Sequence, residues 1–401
     1  MSRDLSDPCD LDLPSGWRKI VAEHGSRAEQ VFDRFRQRLK DRLGLGDPVH
    51  VQLYRGFGTT KSVRVSGRVL EDEGAMPPSP EDTRWTNLVR AYRLFETDER
   101  PGARVNVHFA GRSHTAVADE EGFFDVTVDA GDHPFSPGVA EVTADLLEPA
   151  GHQTEPKRST ITIPGPHAQY AIVSDVDDTI MHSEATNFIR LVMNTVLNNA
   201  YGRVAFPGVG AFYQALTHGT RPVAGGEGVN PIFYLTSSMW NVYDVIRLFI
   251  DVNGIPPGPL LMRDLGLSKT QLIKGTHAAH KLCRVRELMA TYPDLRFVLV
   301  GDTGQHDAEI YRDVALELAK TGEAERLAAV YLRDVTGRSR EAEVSGIVGE
   351  ISGVGVPTLA GPDTAAMAQH AEANGLIAPR AVEDVADRRA TDEAIDAVSP
   401  L

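Results

Sequence analysis

Cysteine is nearly absent from this chain: among 401 residues only Cys9 and Cys283 occur. Two thiols supply neither a cysteine-rich zinc cluster nor a disulfide framework. Long apolar runs are missing too, and no stretch approaches the roughly 20 residues that a membrane-spanning helix needs. Met1 to Trp17 mixes acidic residues with Pro and Gly and has no basic start followed by an apolar run, so no signal peptide is expected. Positive charge is in deficit, with a formal net charge of −15. A general nucleic-acid binder needs a broad basic surface, so no nucleic-acid partner is expected. Any anionic substrate must be held by local cations. What is present, 42% hydrophobic and 24% charged residues, is ordinary for a soluble protein with a sizeable core. A cytoplasmic protein is the expectation.

Two domains are the natural division for this length, and the residue pattern changes character along the chain. Within residues 1–47 a helix is expected over 17–43. Ala28, Val31, Phe32, Phe35, Leu39 and Leu43 recur on one face, and Gly44, Gly46 and Pro48 stop it. The other face carries Arg34, Arg36, Arg38, Lys40 and Arg42. Such a face either lies peripherally on an anionic membrane or is solvated while the apolar face docks on the protein. From 48 to 166 apolar residues alternate: Val49, Val51 and Leu53; Val63, Val65 and Val69; Val105, Val107 and Phe109; Phe124, Val126 and Val128; Val142, Ala144 and Leu146; Ile161 and Ile163. With Asp119 to Gly122 as a turn, this period of two predicts an all-β, sandwich-like domain of immunoglobulin-like or transthyretin-like type. A short helix is expected at Trp85 to Phe95. No catalytic constellation occurs in this domain, which leaves it a binding or scaffolding role with a partner unknown.

From 167 to 378 continuous apolar stretches, Tyr170 to Ser174, Pro231 to Leu235, Leu295 to Val300 and Ala328 to Leu332, alternate with helical ones. Buried strands of that kind predict a parallel sheet covered by helices, an α/β arrangement. A segment rich in Gly, Thr and Ala fills 336–364, a helix is expected over Thr364 to Asn374, and the charged residues 379–401 read as a mobile tail.

The chemistry gathers at strand ends. Ile172-Val173-Ser174 runs straight into Asp175-Val176-Asp177-Asp178-Thr179. In an open parallel sheet, sites form beyond the carboxyl ends of strands. Carboxylates crowded there repel one another unless a cation or a phosphate site explains them. Val298-Leu299-Val300 ends likewise in Gly301-Asp302-Thr303-Gly304-Gln305-His306-Asp307. Two acidic strand ends can share one ion, and a few protein oxygens are what magnesium takes; the bland alternative is a pair of turn-starting aspartates. A third strand ends in Thr236-Ser237-Ser238, whose hydroxyls can hold a phosphoryl oxygen. Between Arg263 and Arg286 lie Lys269, Lys274, Lys281 and Arg284, with His277 and His280, a local reversal of sign in an acidic chain. Most of these belong to a solvated helix face, yet one lysine is needed beside a phosphoryl group.

In this order the motifs resemble those of the haloacid dehalogenase superfamily. More narrowly, Ser174 to Ile180, Tyr234 to Asn241, Gln271 to His277 and Val300 to Tyr311 resemble the catalytic domain of the actin-patch-associated phosphatidate phosphatases, over roughly 168–335. The resemblance implies a haloacid-dehalogenase-like (Rossmann-like) parallel sheet with a small cap insert. It implies a phosphoric monoester hydrolase that uses Mg2+ and an aspartyl-phosphate, acting on phosphatidate or a related phospholipid monoester at a membrane surface. Asp175 is then the nucleophile and Asp177 the acid and base. The metal falls to Asp175, Asp177 (through its backbone carbonyl) and Asp302, with Asp307 supporting it through water or fixing the lysine. Thr236 or Ser237 binds a phosphoryl oxygen, and Lys281 or Lys274 is the cation. Thr179 fixes the loop, and Asp178 is structural. His182, His277, His280 and His306 take ordinary surface or loop roles, with His277 and His280 open to helping with phosphate. The insert between Ile180 and Asn230 suggests a helix through Phe188, Leu191, Val192, Thr195, Val196 and Asn199, which either greets acyl chains or covers the sheet. Two other readings stand beside this one. The first is a phosphatase of a soluble metabolite or phosphoprotein. The second is an adaptor that binds a partner through its β-domain, against which the Asp175/Asp177 pair argues.

Overall fold

The computed structural model describes residues 48–71, 99–151, 153, 155–177, 179–180, 205–220, 229–263 and 277–398. The helix expected over 17–43, the one at Trp85 to Phe95, the helix of the insert, Asp178, His182 and Lys274 lie outside the described residues.

Alternation dictates the first half. Strands β1 (Val49–Leu53), β2 (Gly56–Gly58), β3 (Ser62–Glu71), β4 (Arg104–Phe109), β5 (Arg112–Val117), β6 (Phe123–Asp129), β7 (Gly138–Glu148) and β8 (Lys157–Ile163) form one eight-stranded sheet. Its order is β1-β3-β2-β8-β7-β4-β5, with β6 also on β3. Side chains of a strand point alternately to opposite faces. Accordingly Val49, Val65, Val105, Val107, Val128, Val142 and Ile161 are all buried in a common core. Each such side chain contributes about 1.5–3 kcal/mol by burial. The short β2 pairs with both β3 and β8 and so joins the strands into one continuous sheet, whose apolar faces close on a single core. β5 escaped the alternation because neither of its faces is buried. It is held instead by a tight hairpin with β4, in which Ala110 and Gly111 both have positive φ, 48° and 75°.

The second half is α/β. Strands β9 (Tyr170–Asp175), β10 (Ile232–Met239), β11 (Leu260–Arg263), β12 (Arg296–Asp302), β13 (Leu327–Arg333) and β14 (Thr358–Gly361) form a six-stranded sheet ordered β11-β10-β9-β12-β13-β14. Every pairing in it is parallel. Four of these strands carry the continuous apolar runs of the sequence; β11 and β14 are edge strands of four residues, too short for a pattern to show. Parallel strands need crossovers that cover both faces. One face receives α1 (Val209–His218) and α2 (Tyr243–Val252), the other α3 (His277–Thr291), α4 (Asp307–Thr321) and α5 (Glu341–Gly353). Along β9 the buried side chains divide accordingly, Tyr170 and Ile172 to the first face and Ala171 and Val173 to the second.

The chain closes with α6 (Thr364–Ala373) and α7 (Pro379–Val398). Residues 379–398 are therefore not the mobile tail that their charge suggested. Val385 is wholly buried against the first face. Asp392 accepts a hydrogen bond from the Gly208 N–H at 2.9 Å, and Arg389 pairs with Asp363 at 2.8 Å. The charges that read as solvated are spent in part on docking the helix.

The two sheets also meet. Gln52 donates to Asp244 at 2.6 Å, the Arg55 N–H to the Tyr243 hydroxyl at 3.2 Å, and the Tyr292 hydroxyl to the Gly58 carbonyl at 3.1 Å. Tyr54 stacks on Trp240 with ring centres 4.2 Å apart, and Arg64 pairs with Glu287.

Candidate active site

The order of the parallel sheet decides where a site can form. Numbered within this sheet, the strands run 3-2-1-4-5-6, so successive connections leave in opposite directions from the pair β9 and β12. A crevice opens at the carboxyl ends of such a pair. Asp175 is the last residue of β9 and Asp302 the last of β12. Asp307 opens α4 directly after the loop that follows β12. Carboxylate oxygens of Asp175, Asp302 and Asp307 lie within 4.8 Å of one another, and all three residues are 0% exposed.

Lys281, one turn into α3, reaches this cluster and is itself buried. Its Nζ is 2.6 Å from Asp175 Oδ1 and 2.6 Å from Asp307 Oδ1. Asp307 Oδ2 accepts from the Asp302 N–H at 3.3 Å, tying the two acidic residues of the motif together. Asp302 Oδ1 accepts from the N–H groups of Gly304 and Gln305 at 2.5 and 2.7 Å. Its Oδ2 is buried with no hydrogen-bond partner. The Thr179 hydroxyl donates to Asp175 Oδ2 at 3.3 Å. On β10, the Thr236 hydroxyl donates to Asp177 Oδ2 at 2.8 Å and accepts from the Ser238 N–H at 3.0 Å. Ser237 Oγ is buried with no hydrogen-bond partner.

Three buried carboxylates against one ammonium leave negative charge uncompensated. Burial, then the Asp307 charge, holds the Asp175 carboxyl well above its usual range, with Lys281 working against the shift. Burial and Asp307 likewise push Asp302 up to about 7. For Lys281 burial opposes the charged form, but Asp175 and Asp307 outweigh it and raise the ammonium above its ordinary value. A cation would relieve this repulsion, and the bare Asp302 Oδ2 is an oxygen that such an ion would satisfy. The donor set is all oxygen, the chemistry of a hard divalent ion.

The structure thus brings Asp175, Lys281, Asp302 and Asp307 together, and sets Asp177 beside Thr236. Asp177 is not part of the carboxylate cluster by its side chain, which is turned to Thr236. Sequence reasoning missed Arg340. Its guanidinium donates to the carbonyls of Thr303 at 2.7 Å and Gln305 at 3.1 Å and pairs with Glu309, bracing the loop between Asp302 and Asp307. It lies in the stretch distinguished in sequence only by its Gly, Thr and Ala content, and nothing local marks it.

Comparison with known proteins now bears on this geometry. Residues 170–334 match the family model described as phosphatidate phosphatase APP1, catalytic domain. This segment is APP1-like. Phosphatidate phosphatase APP1 of Saccharomyces cerevisiae is 27% identical over 162 residues, 40% of this chain and 25% of that protein. An uncharacterised protein of Schizosaccharomyces pombe is 23% identical over 166 residues, 41% of this chain and 25% of its own length. The chain therefore spans about a quarter of the length of these relatives. Among solved structures, a carbohydrate acetylesterase from Xanthomonas citri covers 72% of this chain and 68% of its own at 13% identity, with a TM-score of 0.26, too low to imply a shared fold. The APP1-like segment contains all four residues of the buried cluster.

Proposed function

We propose that this chain is a phosphoric monoester hydrolase, a magnesium-dependent phosphatase that works through an aspartyl-phosphate on Asp175. The observation that carries the reading is the meeting of Asp175, Asp302, Asp307 and Lys281 at the two central strand ends of a parallel sheet, inside the APP1-like segment. The strand order and the placement of the acids support a haloacid-dehalogenase-like form of the α/β fold.

The division of labour follows from the contacts. An Asp175 carboxylate oxygen attacks phosphorus, and the ester P–O bond breaks with its electron pair on the leaving oxygen. Asp177 gives that oxygen a proton, then takes one from the water that attacks the phosphoryl group, releasing phosphate and restoring Asp175. The hydrogen bond from Thr236 holds Asp177 in place for both transfers. Ser237 Oγ, buried and without a partner, is suited to a phosphoryl oxygen, and Thr236 shares that role when it turns from Asp177. Lys281 sits where it can neutralise the transferred group while holding Asp175 and Asp307. Asp175, Asp302, Asp307 and the Asp177 carbonyl would hold the magnesium. When bound, the ion offsets the repulsion between the Asp175 carboxylate and an anionic phosphate.

The similarity to a phosphatidate phosphatase favours phosphatidate or a related phospholipid monoester, met peripherally at a membrane surface. The test is phosphate release by the purified full chain from phosphatidate in mixed micelles, set against a panel of soluble phosphoesters, with and without EDTA. Magnesium-restored release with phosphatidate preferred is the expected result. Turnover that survives thorough chelation removes the metal from the proposal. A preference for soluble esters removes the lipid.

A further inference from the structure

Where the two sheets meet they line a half-open cavity of about 290 Å3. The N-terminal sheet supplies Tyr54, Phe123 and Val117 to its lining, and the parallel-sheet half supplies Trp240, Leu261 and Arg284. Trp240 is clasped by the N-terminal sheet, with the Tyr54 ring centre 4.2 Å away and that of Phe123 5.7 Å away. Val117 is 62% exposed, a large apolar side chain left facing solvent on the same lining. Ten of the sixteen lining residues are apolar or glycine, and Arg55, Arg64, Asp119, Asp125 and Arg284 add charge; apolar walls combined with polar groups are what small-molecule sites have, and their volumes run from roughly 300 Å3 upward. A space at the lower end of that range suits one slender apolar group rather than a whole two-chain lipid.

None of the residues of the buried cluster lines this cavity, but three features place it beside the elements that carry them. Leu261 is in register with Leu235, and Leu235 with Asp175. At about 4.8 Å between neighbouring strands, the Leu261 backbone stands about 10 Å from that of Asp175. Arg284 lies three residues beyond Lys281 on α3, hence on the same side of the helix. Trp240 follows Thr236 by four residues, in the short 3-10 turn Trp240–Val242. One cavity therefore touches the elements that carry the nucleophile's neighbour strand, the buried lysine and the strand-end hydroxyls.

We propose that this cavity binds an acyl chain of the phosphomonoester substrate, so that the N-terminal sheet forms one wall of the substrate site. The inference rests on the phosphatase reading and gives the all-β half a share in choosing the substrate. Each methylene that leaves water for the cavity is worth roughly fourfold in affinity until the space is full. Affinity should therefore climb with chain length and then level off.

Trp240 reports on the cavity directly. The full chain carrying Trp17→Phe and Trp85→Phe has Trp240 as its one tryptophan, and wild type against Trp240→Phe gives the same signal by difference if that variant folds poorly. The probe is short-chain phosphatidate with brominated acyl chains, kept below its micelle concentration. Saturable quenching is expected, reversed by the unbrominated lipid, with dioctanoyl binding at least tenfold more tightly than dibutanoyl. Val117→Arg, which places a charge on the lining, should weaken that binding at least tenfold with an unchanged melting curve. Absence of saturable quenching, or one affinity for all chain lengths, overturns the inference. Phosphate release from soluble esters in the same preparations keeps the two readings apart. Release without quenching leaves the phosphatase reading standing and removes the cavity, whereas quenching with no release from any ester does the reverse.

Discussion

Asp175 is held in a way that separates its chemistry from its contribution to folding. Burial and the Asp307 charge both disfavour its ionised form, while Lys281 touches Asp175 and Asp307 alike. Replacing Asp175 with Asn removes a repelled charge and leaves Lys281 its bond to Asp307. Asp175→Asn should therefore cut phosphate release by at least about 10^4-fold, the scale of losing a nucleophile, with no fall in the melting temperature of the metal-free protein. Full turnover by the purified variant would falsify the nucleophile assignment. Asp177→Asn should cost about 10^2- to 10^4-fold, the scale of general acid–base catalysis, with the melt again unchanged. Gly301 makes a different demand. A Cβ there would stand 2.6 Å from Asp307 Oδ2 and 2.8 Å from the Tyr311 ring. Neither neighbour can retreat, since Asp307 is fixed by Lys281 and Asp302 and the Tyr311 hydroxyl by the Val300 carbonyl. Gly301→Ala is expected to displace Asp307, lowering both the melting temperature and the turnover; a variant with wild-type values for both would show that the loop has slack.

At the level of helices and strands, the fold was legible where burial imposed a period and hidden where it did not. Ile172 and Val298 sit in strands buried on both faces, so their apolar runs announced a parallel sheet and the acids at its ends. Val105 and Val142 betrayed their strands by alternation. Arg112 to Val117 has no buried face, and Leu260 to Arg263 and Thr358 to Gly361 are too short for any period, so register with a neighbour alone makes them strands. The meeting of Asp175 and Asp302 was readable because each ends an apolar strand; Lys281, which the resemblance offered beside Lys274, meets them through a tertiary contact. Arg340 was not readable, because its role exists only once a residue 35 positions further along the chain has folded back. The last helix shows the same limit: charge suggested solvent, while tertiary contacts recruit Asp392 and Arg389. Asp392→Ala removes a buried carboxylate from the Gly208 N–H and should destabilise the protein by about 2 kcal/mol, the range for a charged hydrogen bond. Urea unfolding measures it, and a change under about 0.5 kcal/mol, the scatter of ordinary surface substitutions, would mean that α7 is docked by its apolar contacts alone.

Across the whole molecule, two sheets of different origin in sequence share one junction, and on the proposed reading the buried acidic cluster should couple folding to pH and to metal. We propose that residues 48–166 and 167–398 be regarded as its two units, with the last helix belonging to the second. In the metal-free protein Asp302 titrates at about 7, against about 4 for an unfolded aspartate. A carboxyl that holds its proton more tightly when folded favours the folded state most below pH 4, and that advantage is lost as pH rises through 7. Asp175 is shifted in the same direction by the same causes. Chelated protein should thus lose stability between about pH 6 and 8, where other folded carboxylates are already ionised. A divalent ion competes with these protons, so its affinity should increase over the same interval. The melting temperature gained on adding MgCl2 to EDTA-treated protein is therefore expected to be larger at pH 8 than at pH 6. Differential scanning fluorimetry at the two pH values decides it. Equal gains at both would mean that the ion does not displace protons from Asp302 and Asp175, and the shared site at the two strand ends would have to be abandoned.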